Sequence, residues 1–217
     1  MTKQQSMGKC DFCGERFGKA SMTRHLSGCS QLQALAITEE PELAPAFHLI
    51  VEGRWAKDYW MHLAAPGSAP LHKLDRFLRA IWLECCGHMS AFEIDGMRYS
   101  SSAMQGERSM KPPLSTVLDV GTKFLYEYDF GSTTTLSLKV VGFWNQGTPK
   151  DAVESLARNE PPQIICDQCK TQPATLICTE CEEAWLCEAC AAAHKCDEEM
   201  RLPVVNSPRV GVCGYSG

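Results

Sequence analysis

The spacing of the cysteines constrains this sequence more than any other feature. Thirteen of the 217 residues are cysteines, and eight of the thirteen stand in pairs separated by two residues. A tight turn can present two such thiolates to one ion, which is what a tetrahedral metal site requires of a chain. The N-terminus has no recognisable secretory signal, and cytosolic thiols stay reduced, so disulfides are not expected. The sequence therefore predicts a cytoplasmic metal protein.

The first group of candidate ligands lies near the N-terminus. Cys10 and Cys13 are followed by His25 and Cys29, and residues four apart share one face of a helix. A turn followed by a helix would close a site of three thiolates and one imidazole. With Phe17 as part of a small core, the pattern resembles a Cys-Cys-His-Cys variant of the zinc finger family. A domain of about 25 residues buries little apolar surface, so we expect the metal to supply much of its folding free energy.

The second group lies towards the C-terminus and offers eight ligands, enough for two four-coordinate zinc ions. They are Cys166, Cys169, Cys178, Cys181, Cys187, Cys190, His194 and Cys196. The final His-x-Cys step is short, which leaves Cys213 as an alternative to Cys196 for the last ligand. Together with the N-terminal group, the sequence predicts about three zinc ions per chain.

The spacing of the second group resembles that of the B-box and related cross-brace zinc families. In those families the first and third ligand pairs bind one ion, and the second and fourth pairs bind the other. The resemblance implies one site made of Cys166, Cys169, Cys187 and Cys190, and a second made of Cys178, Cys181, His194 and Cys196. Most members of these families bind proteins, and some act as ubiquitin ligases.

The middle of the chain predicts an α+β domain with a mostly antiparallel sheet and one amphipathic helix, flanked by two small zinc-binding modules. Apolar residues recur at helical spacing from Leu71 to Cys85, and Asp95-Gly96 between two strand-like runs is a hairpin signal. The predicted domains are a zinc knuckle over 1–31, the α+β domain over 46–146, and a double-zinc module with a tail over 163–217. The segments between them are expected to be linkers, with a short helix over 151–158.

Part of the middle domain resembles a known family. Leu71 to Phe92, with its His-x-x-x-Phe step, and Lys123 to Gly131, which ends in Tyr-Asp-Phe-Gly, resemble the plasmid Orf-three-like family, also called the mobile-element TnpR passenger family. The resemblance extends from Phe47 to Trp144. The association of that family with plasmids and transposons implies a link to DNA transactions, but it provides no catalytic residue.

A catalytic site in the middle domain would have to use Cys85, Cys86, His88, Tyr128 and Asp129. A thiol beside an imidazole can act as a nucleophile. However, sequence neighbours seldom have the required geometry, and Cys85 falls on the apolar stripe of the helix, where a core position is expected. Adjacent cysteines seldom share one zinc ion, so no fourth metal site is predicted. The sequence therefore favours a non-enzymatic protein.

Charge is distributed unevenly along the chain. Residues 1–34 carry five basic and two acidic residues, net +3, whereas residues 151–217 carry five basic and eleven acidic residues, net −6. The basic N-terminal module has the sign expected for contact with nucleic acid, although the same charges also suit an ordinary solvated face. The acidic C-terminal module is better suited to a protein partner. No apolar run reaches the roughly 18 residues that span a bilayer, so no membrane contact is expected.

These observations predict a zinc-binding, non-enzymatic binding or adaptor protein that engages nucleic acid or a protein partner. Two alternatives stay open. One is an enzyme that acts on nucleic acid through the middle domain, and a convergence of Asp129, His88 and a thiol would favour it. The other is a zinc-stapled structural scaffold. A basic groove from the zinc knuckle onto the middle domain would favour nucleic-acid binding.

Overall fold

The computed structural model describes residues 6–31, 43–149, 152–181 and 184–217. Within these ranges thirteen strands are formed. They are β1 (Met7–Cys10), β2 (Arg16–Gly18), β3 (Leu43–Gly53), β4 (Trp60–Pro66), β5 (Ser90–Ile94), β6 (Met97–Ser100), β7 (Arg108–Ser109), β8 (Lys123–Tyr128), β9 (Thr134–Pro149), β10 (Glu154–Asn159), β11 (Leu176–Cys178), β12 (Ala184–Leu186) and β13 (Arg201–Pro203).

The helices in the described part of the chain are few and short. They are α1 (Lys19–Leu26), α2 (Leu71–Leu78), which continues into a π-helical turn (Arg79–Leu83), α3 (Leu114–Val117), α4 (Glu188–Ala192) and a 3-10 turn (Glu198–Met200). None of the helices in the described ranges is long and apolar enough to cross a bilayer.

Ten strands form one sheet in the order β2-β1-β10-β4-β3-β9-β8-β5-β6-β7, and three form a second sheet in the order β12-β11-β13. Among the described strand pairs, only β6 and β7 run parallel. The prediction of an α+β chain with a mostly antiparallel sheet is therefore confirmed. The expected hairpin joins β5 to β6 through Asp95 and Gly96, and both have the positive φ angles that such a tight turn needs.

The main core lies between one face of the large sheet and α2 with its π-helical turn. Strand β8 shows why it forms: Phe124, Tyr126 and Tyr128 alternate with more exposed residues, so one face of the strand is apolar. Trp82 from the π-helical turn is fully buried in the same core. The helix predicted from Leu71 onward is thus present, with its apolar stripe against the sheet.

A second core attaches the N-terminal module to the opposite face of the same sheet. Met22 and Leu26 of α1 are fully buried in a cluster with Trp60 and Leu156 of the sheet. Strand β1 pairs with β10, and its Gly8 lies so close to the Trp60 ring of β4 that a Cβ there would be 2.6 Å from it. Packing against the sheet therefore supplements whatever a metal contributes to the stability of this module.

Two buried histidines lie at this junction. His48 Nε2 lies 2.9 Å from His62 Nδ1, and His62 Nε2 lies 3.2 Å from the carbonyl oxygen of Lys19 in α1. Burial lowers the pKa of His48 to about 4. Burial, together with the neighbouring His48, lowers the pKa of His62 to about 3. Both rings are therefore neutral at physiological pH.

The described parts of the segments expected to be linkers lie mostly in the sheet. Residues 154–159 form β10 rather than the predicted helix, because the strand is hydrogen-bonded to β1 on one side and β4 on the other. Strand β3 begins at Leu43 and β9 ends at Pro149, so the α+β unit extends beyond 46–146. Residues 32–42 of the first expected linker lie outside the described ranges.

Candidate metal centres

Four groups of cysteine and histidine side chains in the described residues could hold metal ions. In each group one ligand atom from each of four residues lies within 4.8 Å of the other three. The groups are Cys10, Cys13, His25 and Cys29; Cys85, Cys86, His88 and Cys213; Cys166, Cys169, Cys187 and Cys190; and Cys178, Cys181, His194 and Cys196. All thirteen cysteines of the chain belong to one of these groups.

The N-terminal group is assembled by the hairpin β1–β2 and by α1. Cys10 ends β1, Cys13 lies in the following turn, and His25 lies near the end of α1. His25 Nε2 is 3.3 Å from Cys13 Sγ, and the Phe17 ring stacks on the imidazole at 4.3 Å between centroids. Burial raises the pKa of Cys10 to about 11, so a thiolate at this position needs a nearby cation. The geometry matches the predicted set of three thiolates and one imidazole.

The two C-terminal groups interleave along the chain around the three-stranded sheet. Cys178 ends β11, Cys187 precedes α4 and Cys190 lies within α4. Cys169 Sγ is 3.9 Å from Cys187 Sγ, and Cys181 Sγ is 3.1 Å from Cys196 Sγ. The pairing of first with third and second with fourth is the one implied by the cross-brace resemblance. Cys196, rather than the alternative Cys213, completes the last group.

The thiols of the C-terminal groups differ strongly in acidity. Hydrogen bonds from Thr171 lower the pKa of Cys169 to about 6, whereas the adjoining Cys187 thiol raises the pKa of Cys190 to about 12. The adjoining Cys181 thiol likewise raises the pKa of Cys196 to about 12. Thiols this close resist ionising together, and a divalent cation among them removes that repulsion.

One histidine nitrogen provides a separate test of whether a metal fits. His194 Nε2 is buried and has no hydrogen-bond partner among the described residues. A buried polar atom is normally satisfied, and an imidazole nitrogen that ligates a metal satisfies its lone pair in that way. The residues of the group that contains Cys178 and His194 therefore suit a metal ion.

The fourth group is the one that the sequence did not predict. Cys85, expected in the core, is half-buried, and Cys86 is exposed. The structure brings both to His88 and to Cys213 from the far end of the chain. The adjacency of Cys85 and Cys86 argued against a metal site, and no local spacing in the sequence connects them to Cys213. The predicted ligand groups left three cysteines unassigned, Cys85, Cys86 and Cys213, and these leftover cysteines were the available signal.

Asp129 and Tyr128, the remaining catalytic candidates, also lie beside this group. Asp129 Oδ1 is 3.6 Å from His88 Nδ1, and Tyr128 Oη accepts hydrogen bonds from the backbone N–H groups of Cys85 and His88. Burial tends to raise the pKa of Asp129, but hydrogen bonds from Arg209 and from backbone N–H groups lower it below its usual value. Asp129 is thus a carboxylate that can orient the imidazole.

Comparison with known proteins adds little to this geometry. No protein-family model matches the chain, and no curated protein matches it. Among solved structures, the chain is similar to the crystal structure of MM3350, a protein of unknown function from Methanosarcina mazei Go1. The two share 17% identity over 54% of this chain and 68% of the other, with a TM-score of 0.44. The resemblance to the plasmid Orf-three-like family stays a prediction.

Proposed function

We propose that this chain is a zinc-containing, non-enzymatic protein that binds nucleic acid through a basic groove shared by the N-terminal zinc module and the large sheet. In this proposal the N-terminal and C-terminal groups hold zinc, because three or four thiolates in a closed set of four protein ligands suit structural zinc. The groove is the observation that supports the nucleic-acid partner.

The groove lies between α1 and the sheet face opposite the main core, and its volume is about 530 Å³. The charged side chains that line it are Lys19, Glu52, Arg54, Lys123 and Lys139. Lys19 and Glu52 neutralise each other in an ion pair. In the described ranges no ion pair neutralises the other three cations, so the groove carries a net positive charge suited to phosphates.

The register of the sheet places two of these cations opposite each other. Lys123 of β8 and Lys139 of β9 are direct cross-strand partners, and both side chains are exposed. Like charges in this position destabilise a strand pair. An anion bound between the two ammonium groups would relieve that repulsion, so the arrangement favours a phosphate over an uncharged ligand.

An aromatic side chain extends the groove. Trp55 is 86% exposed, and the guanidinium of Arg54 lies over its ring at 5.3 Å from the centroid. An adjoining cavity of about 500 Å³ is lined by these two residues together with Lys57 and Glu52. An exposed indole among cations provides a stacking platform for unpaired bases. We therefore expect single-stranded nucleic acid to bind better than duplex.

The N-terminal module contributes to this surface less directly than the charge count suggested. Lys9 and Arg16 both form ion pairs with Glu160, which follows β10. Their charges are therefore partly neutralised within the chain. The module contributes Lys19 and one wall of the groove, while most of the cationic charge comes from the middle domain.

The test is a fluorescence-anisotropy titration with a labelled single-stranded oligonucleotide, matched duplex DNA and RNA between 50 and 200 mM salt. The variant Lys123→Glu/Lys139→Glu should lose at least about tenfold in affinity and show a shallower dependence on salt, because each lost phosphate contact removes about 0.7 from the slope for single strands. The control Lys73→Glu/Lys111→Glu makes the same charge change elsewhere on the middle domain and should bind like the wild type.

Two results would overturn the proposal. One is the absence of binding to every nucleic acid at the lowest salt. The other is equal weakening by the groove variant and the control variant, which would mean that only net charge matters. A protein partner for the acidic C-terminal module stays a prediction.

An enzyme is the second candidate, because one observation favours it. His88 lies between a thiol and a carboxylate, with Nε2 3.4 Å from Cys213 Sγ and Nδ1 3.6 Å from Asp129 Oδ1. A nucleophile, a base and an orienting carboxylate can be arranged in this way. Alkylation of Cys213 at one equivalent per chain, with no change in metal content, would support this candidate.

A further inference from the structure

The fourth ligand group joins two distant parts of the chain. Cys85, Cys86 and His88 directly follow the π-helical turn, whereas Cys213 belongs to the C-terminal tail, residues 204–217. His88 Nε2 lies 3.4 Å from Cys213 Sγ across 125 positions of sequence. All four ligand atoms lie within 4.8 Å of one another, and a zinc–thiolate tetrahedron with arms of about 2.3 Å has edges of about 3.8 Å. The spacing therefore suits one tetrahedral ion.

The turn that carries three of the ligands is held in shape by its neighbours. Tyr128 Oη accepts hydrogen bonds from the backbone N–H groups of Cys85 (3.4 Å) and His88 (3.3 Å), and it donates one to Glu84 Oε1 (3.0 Å). Gly87, with φ of +75°, donates its N–H to the same carboxylate oxygen at 2.7 Å. Side chains outside the group thus fix the backbone that presents the ligands, as expected of a preorganised site.

The tail is fixed against the middle domain just before Cys213. Ser207 Oγ donates a hydrogen bond to the carbonyl oxygen of Trp82 at 2.6 Å. Arg209 is fully buried and forms an ion pair with Asp129 at 2.7 Å. Cys213 has a φ of +51°, a strained conformation for a residue with a side chain. The tail therefore brings Cys213 to the turn through specific contacts rather than by chance proximity.

Two residues beside this fourth ligand group, Asp129 and Arg209, are placed to support a metal ion bound by three thiolates and His88. Asp129 Oδ1 lies 3.6 Å from His88 Nδ1, which leaves Nε2 as the nitrogen that faces Cys213. Carboxylates in this position orient ligating histidines in many metal sites. Arg209 donates a hydrogen bond to Cys85 Sγ at 3.5 Å. This hydrogen bond stabilises Cys85 as a thiolate, while the ion pair of the same guanidinium with Asp129 adds no net charge beside the group.

We propose that Cys85, Cys86, His88 Nε2 and Cys213 bind a fourth zinc ion, which clamps the C-terminal tail onto the middle domain. Asp129 and Arg209 are positioning residues that orient the imidazole and stabilise the thiolates. The site connects the segment beyond the cross-brace module to the core of the α+β unit. This proposal does not depend on nucleic-acid binding.

A metal site accounts for more of the arrangement than a catalytic thiol does. A cysteine nucleophile needs one thiol, one base and an open approach for substrate. Here two further thiols, Cys85 and Cys86, surround the same imidazole. Three thiols beside one histidine form a complete ligand set for zinc and leave no coordination position open, which indicates a structural site.

The test is the zinc content of the full chain, purified with zinc present and measured by inductively coupled plasma mass spectrometry. The wild type should hold four zinc ions. Cys86→Ser, Cys213→Ser and the double variant should each hold three, because the two cysteines serve the same ion. The control Ser216→Ala, an exposed position in the same tail, should hold four. Circular dichroism checks that each variant is folded.

Alkylation with N-ethylmaleimide, mapped by mass spectrometry, provides a second measurement. Cys86 and Cys213 are exposed, yet both should resist modification in the zinc-loaded chain and react once a chelator is added. A wild-type content of three zinc ions with rapid modification of both residues would overturn the proposal. A double variant that loses two ions would also overturn it, since the cysteines would then serve different sites.

Discussion

Replacing Arg209 with methionine should destabilise the α+β unit by about 3 kcal/mol. The guanidinium is fully buried and donates hydrogen bonds to Asp129 Oδ2 at 2.7 Å, to the carbonyl oxygen of Ser132 at 3.0 Å and to Thr134 Oγ1 at 3.0 Å. Methionine fills similar space but donates nothing. The variant therefore leaves a carboxylate that is only 5% exposed without its counterion.

The magnitude follows from what Asp129 retains. Removing one partner of a buried ion pair costs roughly 3–5 kcal/mol. Asp129 Oδ1 still accepts hydrogen bonds from the backbone N–H groups of Gly131 at 3.1 Å and Ser132 at 3.2 Å. Only Oδ2 loses its donor, so we expect the lower end of that range. The double variant Asp129→Asn/Arg209→Met should be less destabilised than the sum of the two single variants, because no unpaired charge remains.

The assay is hydrogen exchange of the slowest amides in β8 and β9 of the chain purified with zinc present. Denaturant unfolding is less suitable, because a chain with several candidate metal sites need not unfold in a two-state manner. The control is Arg16→Met, which removes an exposed ion pair with Glu160 and should cost at most about 1 kcal/mol. A loss below about 1 kcal/mol for Arg209→Met, or additive effects in the double variant, would refute the reasoning, since the buried pair would then contribute no more than a surface pair.

Two further predictions concern protons and metal. Between pH 6.5 and about 4 the unfolded chain binds protons on His48 and His62 that the native chain does not. The free energy of unfolding is therefore unaffected by these rings above pH 6.5. As the pH is lowered below 6.5, it falls by about 1.4 kcal/mol per pH unit for each ring. Hydrogen exchange of the β4 amides, measured over this pH range in the wild type and in His62→Phe, tests this effect. If the difference in stability between the two proteins does not change with pH, the prediction is contradicted. Removal of metal with a chelator should abolish amide protection in β11 and β12, whose core of fully buried residues is very small, while β3 and β9 stay protected. Persistent protection of β11 without metal would show that the metal is not needed for folding there.

The sequence was sufficient for features that depend on short spacing. The CxxC pairs and the His-x3-Cys step indicated three ligand groups, because ligands on one turn or one helix face are fixed by local geometry. The apolar stripe from Leu71 onward indicated α2, and Asp95-Gly96 indicated a hairpin, because helical periodicity and positive φ angles are local properties as well. The coarse fold, α+β with a mostly antiparallel sheet, followed from these elements.

Long-range pairing decided the rest. Residues 154–159 have no strong strand pattern, and they form β10 because β1 and β4 both lie beside them with unpaired backbone groups to satisfy. The cationic groove combines Lys19 with Lys123 and Lys139, which only the register of the sheet brings together. Cys213 reaches His88 because a buried ion pair between Arg209 and Asp129 holds the tail. Spacing along the chain determines which ligands one turn can offer, whereas contacts between distant residues depend on the packing of the whole chain, which no local pattern records.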